Sequence, residues 1–130
     1  MFSDLSLFKT ASALAAHSSA RQTTIAQNMA NSDTPGFLAR DIESFSTVMD
    51  TPRSDFVMKT TRSAHISSPG TGISGNVQEV ESPGDQSPNG NSVSIETEMF
   101  KSAEVKHSHD MAVTVYKSGL TLLRTALGKT

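Results

Sequence analysis

The chain has no cysteine, no tryptophan and a single tyrosine among its 130 residues. Without thiols there is no cysteine nucleophile, no disulfide framework and no cysteine-based zinc site. Aromatic residues make up 5% and apolar residues 35% of the sequence, which leaves too little material for a large private core. Neither sign of charge dominates, since 11 basic against 13 acidic residues leave a net charge of -2 with no block of one sign. A dedicated nucleic-acid binder would carry a basic stripe, and a polybasic membrane anchor a cluster of Lys and Arg; neither is present. No apolar run approaches the length that spans a bilayer.

Processing and catalytic signatures are also missing. Ala13-Leu14-Ala15 mimics a signal-peptide cleavage site, but Asp4 stands where a positive region is required and Lys9 interrupts the short apolar run. If the chain is exported, the expectation is export without a cleavable signal. There is no G-x-S-x-G elbow, and the glycines of PGTGISGN are followed by no G-K-[ST]. The expectation is therefore a protein that is not an enzyme, with no cofactor and no small-molecule substrate.

Two long helical patterns are present. From Leu5 to Asn31 there is neither Pro nor Gly, and Leu7, Ala11, Leu14, Ala15, Ser18, Ile25 and Met29 fall on one narrow stripe at 100° per residue. Ser3 or Asp4 is the expected cap. Towards the other terminus, Ile95, Met99, Ser102, Lys106, His109, Val113, Tyr116, Leu120, Leu123 and Leu127 follow an unbroken 4-3-4-3 spacing, which reads as a coiled-coil seam. Ser94 is the expected N-cap, with Glu96 and Glu98 in the first turn where the helix dipole favours acids. Gly119 inside this pattern either permits a close helix contact or marks a weak point.

Residues 38–93 hold four of the five prolines in runs such as ESPGDQSPNGN, and read as loop or disorder with short strands at 55–60 and 75–80. The expected fold is mainly α. Two long terminal helices, 1–31 and 94–130, pair as an antiparallel coiled-coil hairpin around an irregular, partly disordered or short-β middle segment, 32–93. All three form one structural unit. Each helix has only a narrow apolar stripe, so the hairpin builds no thick core and gains order on assembly.

Several residues invite a chemical reading. His107, His109 and Asp110, with Glu104, suggest a metal-binding module, but ligating pairs on a helix sit at i, i+3 or i, i+4, whereas the two histidines are two apart and diverge. A solvated polar patch is the simpler reading. His65 in TTRSAHIS reads as a lone surface or contact residue. In ANSDTPGF, residues 30–37, Asn31 is expected to end the helix in the left-handed conformation and Asp33 to form an Asx turn. Thr34 is pushed to extended geometry by Pro35, Pro35-Gly36 suits the centre of a type II turn, and Phe37 follows as an aromatic anchor. Alone, this is a helix stop with a tight turn.

With its surroundings, the octapeptide becomes specific. QNMANSDTPGFLARDIESF, residues 27–45, resembles the signature of bacterial flagellar rod and hook axial proteins, whose N-terminal helix ends in an ANxxTPG-aromatic element. TTRSAHI at 60–66 resembles a TRxxHI element, PNGNSVSIETEM at 88–99 resembles the family's lead-in to its C-terminal helix, and the tail LLRTALG at 122–128 is also similar. Ser63-Ala64 depart from a frequent Pro-Gly, and Asn89 replaces the usual acid before Gly90. The sibling FlgC shares the ANxxTPG element and stands as an alternative within the family.

The resemblance implies a structural subunit of the proximal rod in the flagellar basal body, exported by the flagellar type III apparatus and assembled helically through its terminal helices. It implies as partners further copies of the chain, other proximal rod proteins including FlgC, the adaptor FliE, the export gate and the MS ring of the inner membrane. The expected assembly interface comprises Leu7, Leu14, Ile25 and Met29 of the first helix, Asn31, Thr34, Pro35, Gly36 and Phe37 of the turn, and Ile95, Met99, Val113, Tyr116, Leu120 and Leu123 of the second. The first four are expected to pack against the last six.

Overall fold

The computed structural model describes residues 2–50, 79–82 and 86–128. The elements run α1 (Phe2–Ala30), β1 (Arg40–Ile42), α2 (Phe45–Asp50), β2 (Glu79–Glu81) and α3 (Ile95–Ala126). The fold is mainly helical. The expected strand at 55–60 lies outside the described residues, as does most of the one at 75–80.

Both long helices are rich in Ser and Thr, which lose helix propensity by competing for backbone groups. Here that competition is resolved locally: Thr10, Thr23, Ser108, Thr114, Thr121 and Thr125 each donate a hydroxyl to the carbonyl four residues back. The start of α3 is set by Ser94, whose backbone is extended and whose hydroxyl accepts the Thr97 N–H at 3.4 Å. At its end, Leu127 and Gly128 N–H groups close onto Leu123 and Thr125 carbonyls, with Gly128 at φ +67°. The start of α1 differs from expectation. Ser3 and Asp4 lie inside the helix, which already runs from Phe2, because nothing in the first residues breaks it.

Two short elements were not expected. Ser44 caps α2, its hydroxyl accepting the Thr47 N–H at 3.3 Å and its carbonyl the Val48 N–H at 3.1 Å. The β1 strand pairs antiparallel with β2 in the register Arg40 to Glu81, Asp41 to Val80 and Ile42 to Glu79. Three-residue strands carry almost no pattern of their own, so periodicity had little to detect.

The start of α1 lies against the end of α3, and the end of α1 against its start. Phe8 meets Tyr116 edge-to-face at 5.1 Å, Gln22 donates to Ser102 at 2.8 Å, and Asn28 donates to Glu98 at 3.0 Å. A seven-residue repeat of buried positions runs along both helices, Ala11, Ser18 and Ile25 on α1 and Glu98, Val105, Ala112 and Gly119 on α3, with His17, Thr24 and Asn28 also buried on α1. The repeated positions are mostly small, so the backbones approach closely. A Cβ built on Gly119 would lie 2.9 Å from the Phe8 ring, which resolves that glycine as a close-contact residue.

This geometry corrects the expected seam. Ile95, Met99, Tyr116 and Leu123 are exposed, while Val113 and Leu120 are half-buried. The face of α3 that meets α1 is rotated by roughly 70° from the 4-3-4-3 line, at 100° per residue. On α1, Ile25 is fully buried and Leu14 half-buried, but Leu7 and Met29 are exposed. Small residues win the contact because they let two helices draw together along their whole length, which large residues at the same positions would prevent.

Candidate functional site

The ANSDTPGF segment folds against residues 87–93, so two of the motifs singled out in the sequence form one structure. The α1 helix stops at Ala30. Asn31 does not adopt a left-handed conformation, since no described residue other than glycine has positive φ. Its backbone N–H still bonds the Gln27 and Asn28 carbonyls at 3.1 and 3.0 Å, continuing the helical pattern, and its side-chain amide adds a second donor to the Gln27 carbonyl at 2.8 Å. Thr34 closes the next step, its N–H bonding the Asn31 carbonyl at 3.0 Å and its hydroxyl the Asn31 Oδ1 at 3.2 Å. The exposed Asp33 side chain takes no part in this closure, in contrast to the expected Asx turn.

From Thr34 to Phe37 the chain makes the expected tight turn. The Phe37 N–H bonds the Thr34 carbonyl at 3.3 Å, with Pro35 and Gly36 central and Gly36 at φ +73°. Gly90, at φ +79°, faces it: a Cβ there would stand 3.5 Å from the Gly36 Cα. The Gly36 N–H bonds the Asn89 carbonyl at 3.0 Å, so two glycine turns lie back to back.

Asn91 holds them together. This buried side chain places its amide nitrogen 2.9 Å from the Asn31 and Ser32 carbonyls and 2.8 Å from that of Thr34, two N–H groups shared among three acceptors. Its Oδ1 accepts the Val93 N–H at 2.7 Å. The Phe37 carbonyl accepts the Ser92 N–H at 3.1 Å, and the Ser92 hydroxyl accepts the Ala39 N–H at 2.8 Å. Asn89 accepts the Asn91 N–H at 3.0 Å through its side-chain oxygen.

One turn further along, a charge network pins β1 between the helices. Asn28 is buried and reads the Arg40 backbone at both ends, donating to its carbonyl at 2.6 Å and accepting its N–H at 3.1 Å. It also donates to Glu98, whose other oxygen lies 3.0 Å from Lys101 Nζ. Lys101 reaches Asp41 at 3.3 Å, and Arg21 grips the same carboxylate in a fork at 2.8 and 3.0 Å. Arg21 also lies 3.9 Å from the exposed Glu104, so two cations face three carboxylates. Burial pushes the Asp41 carboxyl up, but the Arg21 and Ile42 hydrogen bonds and the Arg21 and Lys101 charges together hold it below its ordinary range. The hydrogen bond to Asp41 raises Arg21 further, against the opposing effect of burial.

Arg21, Asn28, Asp41, Asn91, Glu98 and Lys101 were not foreseen as interacting residues. Glu98 was read only as a dipole-favoured acid. Their one sequence signal was position: most flank or fall within the motifs at 27–45 and 88–99. By contrast, His107 and His109 are exposed, with His109 3.8 Å from its neighbour Asp110. Among the described residues no three His, Asp or Glu side chains converge on a point where a metal ion fits. His65 lies outside the described residues.

No protein-family model matches the chain. The chain is, however, 33% identical over 118 residues to the flagellar basal body rod protein FlgB of Agrobacterium fabrum (strain C58), a match that covers 88% of this chain and 87% of that relative. On that match the chain belongs to the flagellar basal body rod protein FlgB family.

Proposed function

We propose that this chain is a structural subunit of the proximal rod, passed through the flagellar type III export apparatus and assembled helically through its terminal helices. The observation that carries this reading is the similarity to a rod protein over 88% of the chain, combined with the joining of its ANSDTPGF and NGNSVS motifs by Asn91. The role is mechanical and involves no reaction.

The thin core supports assembly as the source of stability. Among the described residues the buried apolar side chains are Ala11, Ile25, Ala39, Ile42, Val48, Val105 and Ala112, while Leu7, Met29, Ile95, Met99, Tyr116 and Leu123 remain exposed. Terminal helices that bury so little apolar area between them suit a narrow export channel and become ordered when neighbours cover their stripes. The seven-residue repeat of buried positions fits an antiparallel coiled-coil pairing of α1 and α3. The turn from Asn31 to Phe37 then faces a neighbouring subunit. FlgC, FliE, the export gate and the MS ring are the proposed partners besides further copies.

Deletion of the gene tests the role: the cells are expected to lack all axial structure beyond the membrane ring, and recovery of normal basal bodies in such cells would rule it out. A metal-binding module is the rival of another class. Calorimetric zinc titration of the purified chain is expected to show no stoichiometric tight site, and tight binding abolished by His107→Ala would revive that rival.

A further inference from the structure

Asn89-Gly90 is the sole Asn-Gly pair in the sequence, and it lies where the two glycine turns meet. Glycine has no Cβ to shield its nitrogen, so its main-chain N closes on a preceding side-chain amide more readily than that of any other residue. Asn89 is exposed, and water reaches its amide. Its Oδ1 accepts the Asn91 N–H at 3.0 Å, which draws electron density from Cγ as a donor on a carbonyl oxygen does in acyl transfer. The electrophile for an intramolecular attack is therefore presented and polarised.

The nucleophile is withheld. The peptide plane between Asn89 and Gly90 is bonded at both ends, its N–H donating to the Ser87 carbonyl at 2.8 Å and its C=O accepting the Gly36 N–H at 3.0 Å. For the Gly90 nitrogen to reach Asn89 Cγ, that plane must turn and both bonds must break. It cannot turn in isolation, because Gly36 packs against Gly90 and the Gly36 turn is tied down by the Asn91 amide through the carbonyls of Asn31, Ser32 and Thr34. Asn91 itself is buried, and its amide donors are already shared among those carbonyls.

We infer that Asn89-Gly90 is a self-modification site, at which the side-chain amide converts to a carboxylate through a cyclic imide, and that closure of the two turns on each other keeps it shut. When the turns part, the Gly90 nitrogen loses its proton to hydroxide and bonds Asn89 Cγ. The Cγ–Nδ2 bond then breaks, and ammonia leaves with a proton taken from water. Water opens the imide at either of its carbonyls, giving an aspartate on an unchanged main chain or an isoaspartyl link that runs through Cγ. Water enters, ammonia leaves, and nothing is oxidised or reduced. The aspartate keeps an oxygen for the Asn91 N–H. The isoaspartyl link adds a carbon to the main chain and moves Gly90 out of register with Gly36. A chain held unfolded, as the rod-subunit reading requires during export, is open to the reaction, whereas the folded chain is protected.

The full chain, incubated at mildly alkaline pH in buffer and in guanidinium chloride, tests the inference. Mass spectrometry of the peptide containing Asn89 reads the conversion of amide to acid. Conversion is expected to be at least about tenfold slower in buffer, because reaction through local opening is suppressed by the opening equilibrium. Asn91→Ala, with wild-type helicity confirmed by circular dichroism, is expected to lose most of that protection in buffer and to match the wild type in denaturant. Gly90→Ala is expected to react more slowly than the wild type in denaturant, since its Cβ crowds the attacking nitrogen. Equal or faster conversion of the wild type in buffer would overturn the inference, as would a folded Asn91→Ala chain as well protected as the wild type or an unchanged rate in Gly90→Ala. Each of these outcomes leaves the rod role intact, which the gene deletion decides separately.

Discussion

The side-chain amide of Asn91 lies 2.8 Å from the carbonyl oxygen of Thr34, a contact across 57 residues of sequence that ties the turn after α1 to the lead-in of α3. The same amide serves Asn31 and Ser32, so one buried side chain sets the path of the octapeptide.

Replacing Asn91 by Ala is expected to cost about 2 kcal/mol, because carbonyls that lose a buried donor must be left unpaired or rehydrated. Urea denaturation checks the magnitude, and hydrogen exchange is expected to speed up most at residues 31–37. Asn91→Asp is expected to behave similarly, since a carboxylate accepts but cannot donate. A change below about 0.5 kcal/mol for both would remove Asn91 from its role.

Gly36 separates backbone conformation from crowding. A Cβ at this position meets nothing within 4 Å, yet φ is +73°. The expected order of stability is therefore Gly, then Asn, then Ala, then Val, with Gly36→Val costing about 1–2 kcal/mol through the left-handed penalty alone. In cells, Gly36→Val is expected to harm assembly far more than solubility. Normal motility in a strain carrying it would contradict that expectation.

Asp41 makes stability pH-dependent in a defined direction. Its folded pKa is depressed, so its contribution is present in full above the ordinary value of 3.8 and is lost as the pH falls through the lower folded value. Asp41→Asn is expected to lower stability by about 2 kcal/mol at neutral pH and to flatten the fall in stability below about pH 4. Chemical denaturation of both chains at neutral and acid pH tests this, and parallel pH profiles would contradict it.

Gly119 reports on the close approach of the helices. Gly119→Ala gains about 1 kcal/mol of helix propensity but pushes on the Phe8 ring, so its net effect is expected to be small. Gly119→Leu is expected to cost about 1–3 kcal/mol by overpacking. Tyr116, the only tyrosine, packs edge-to-face on Phe8, and its near-ultraviolet circular dichroism is expected to change with Gly119→Leu. An unchanged signal would place the helices further apart than described.

Local chemistry accounts for what was legible in advance. The lengths of both helices follow from long stretches free of proline, the Ser94 cap from its hydroxyl before a first turn of acids, and the tight turn from Pro35-Gly36. These depend on neighbours within a few residues. Which face of α3 turns inward was misread because 4-3-4-3 spacing marks where large apolar residues lie, without revealing that small ones set the contact. Leu7 joined the stripe on size and period, and it does reach Gly119 while staying partly exposed, whereas the positions buried along the stripe are Ala11, Ser18 and Ile25.

Sequence alone determined the two terminal helices, the turn at 31–37 and, through motifs distributed along the chain, the flagellar axial family. Tertiary structure decided that Asn91 closes that turn, that Arg21, Asp41, Lys101, Glu98 and Asn28 pin β1 to both helices, and that Gly119 admits Phe8. The physical reason is range. Caps and turns are settled between residues close in the chain, whereas a buried amide or ion pair takes its partner from a segment tens of residues away, and only folding brings the two together.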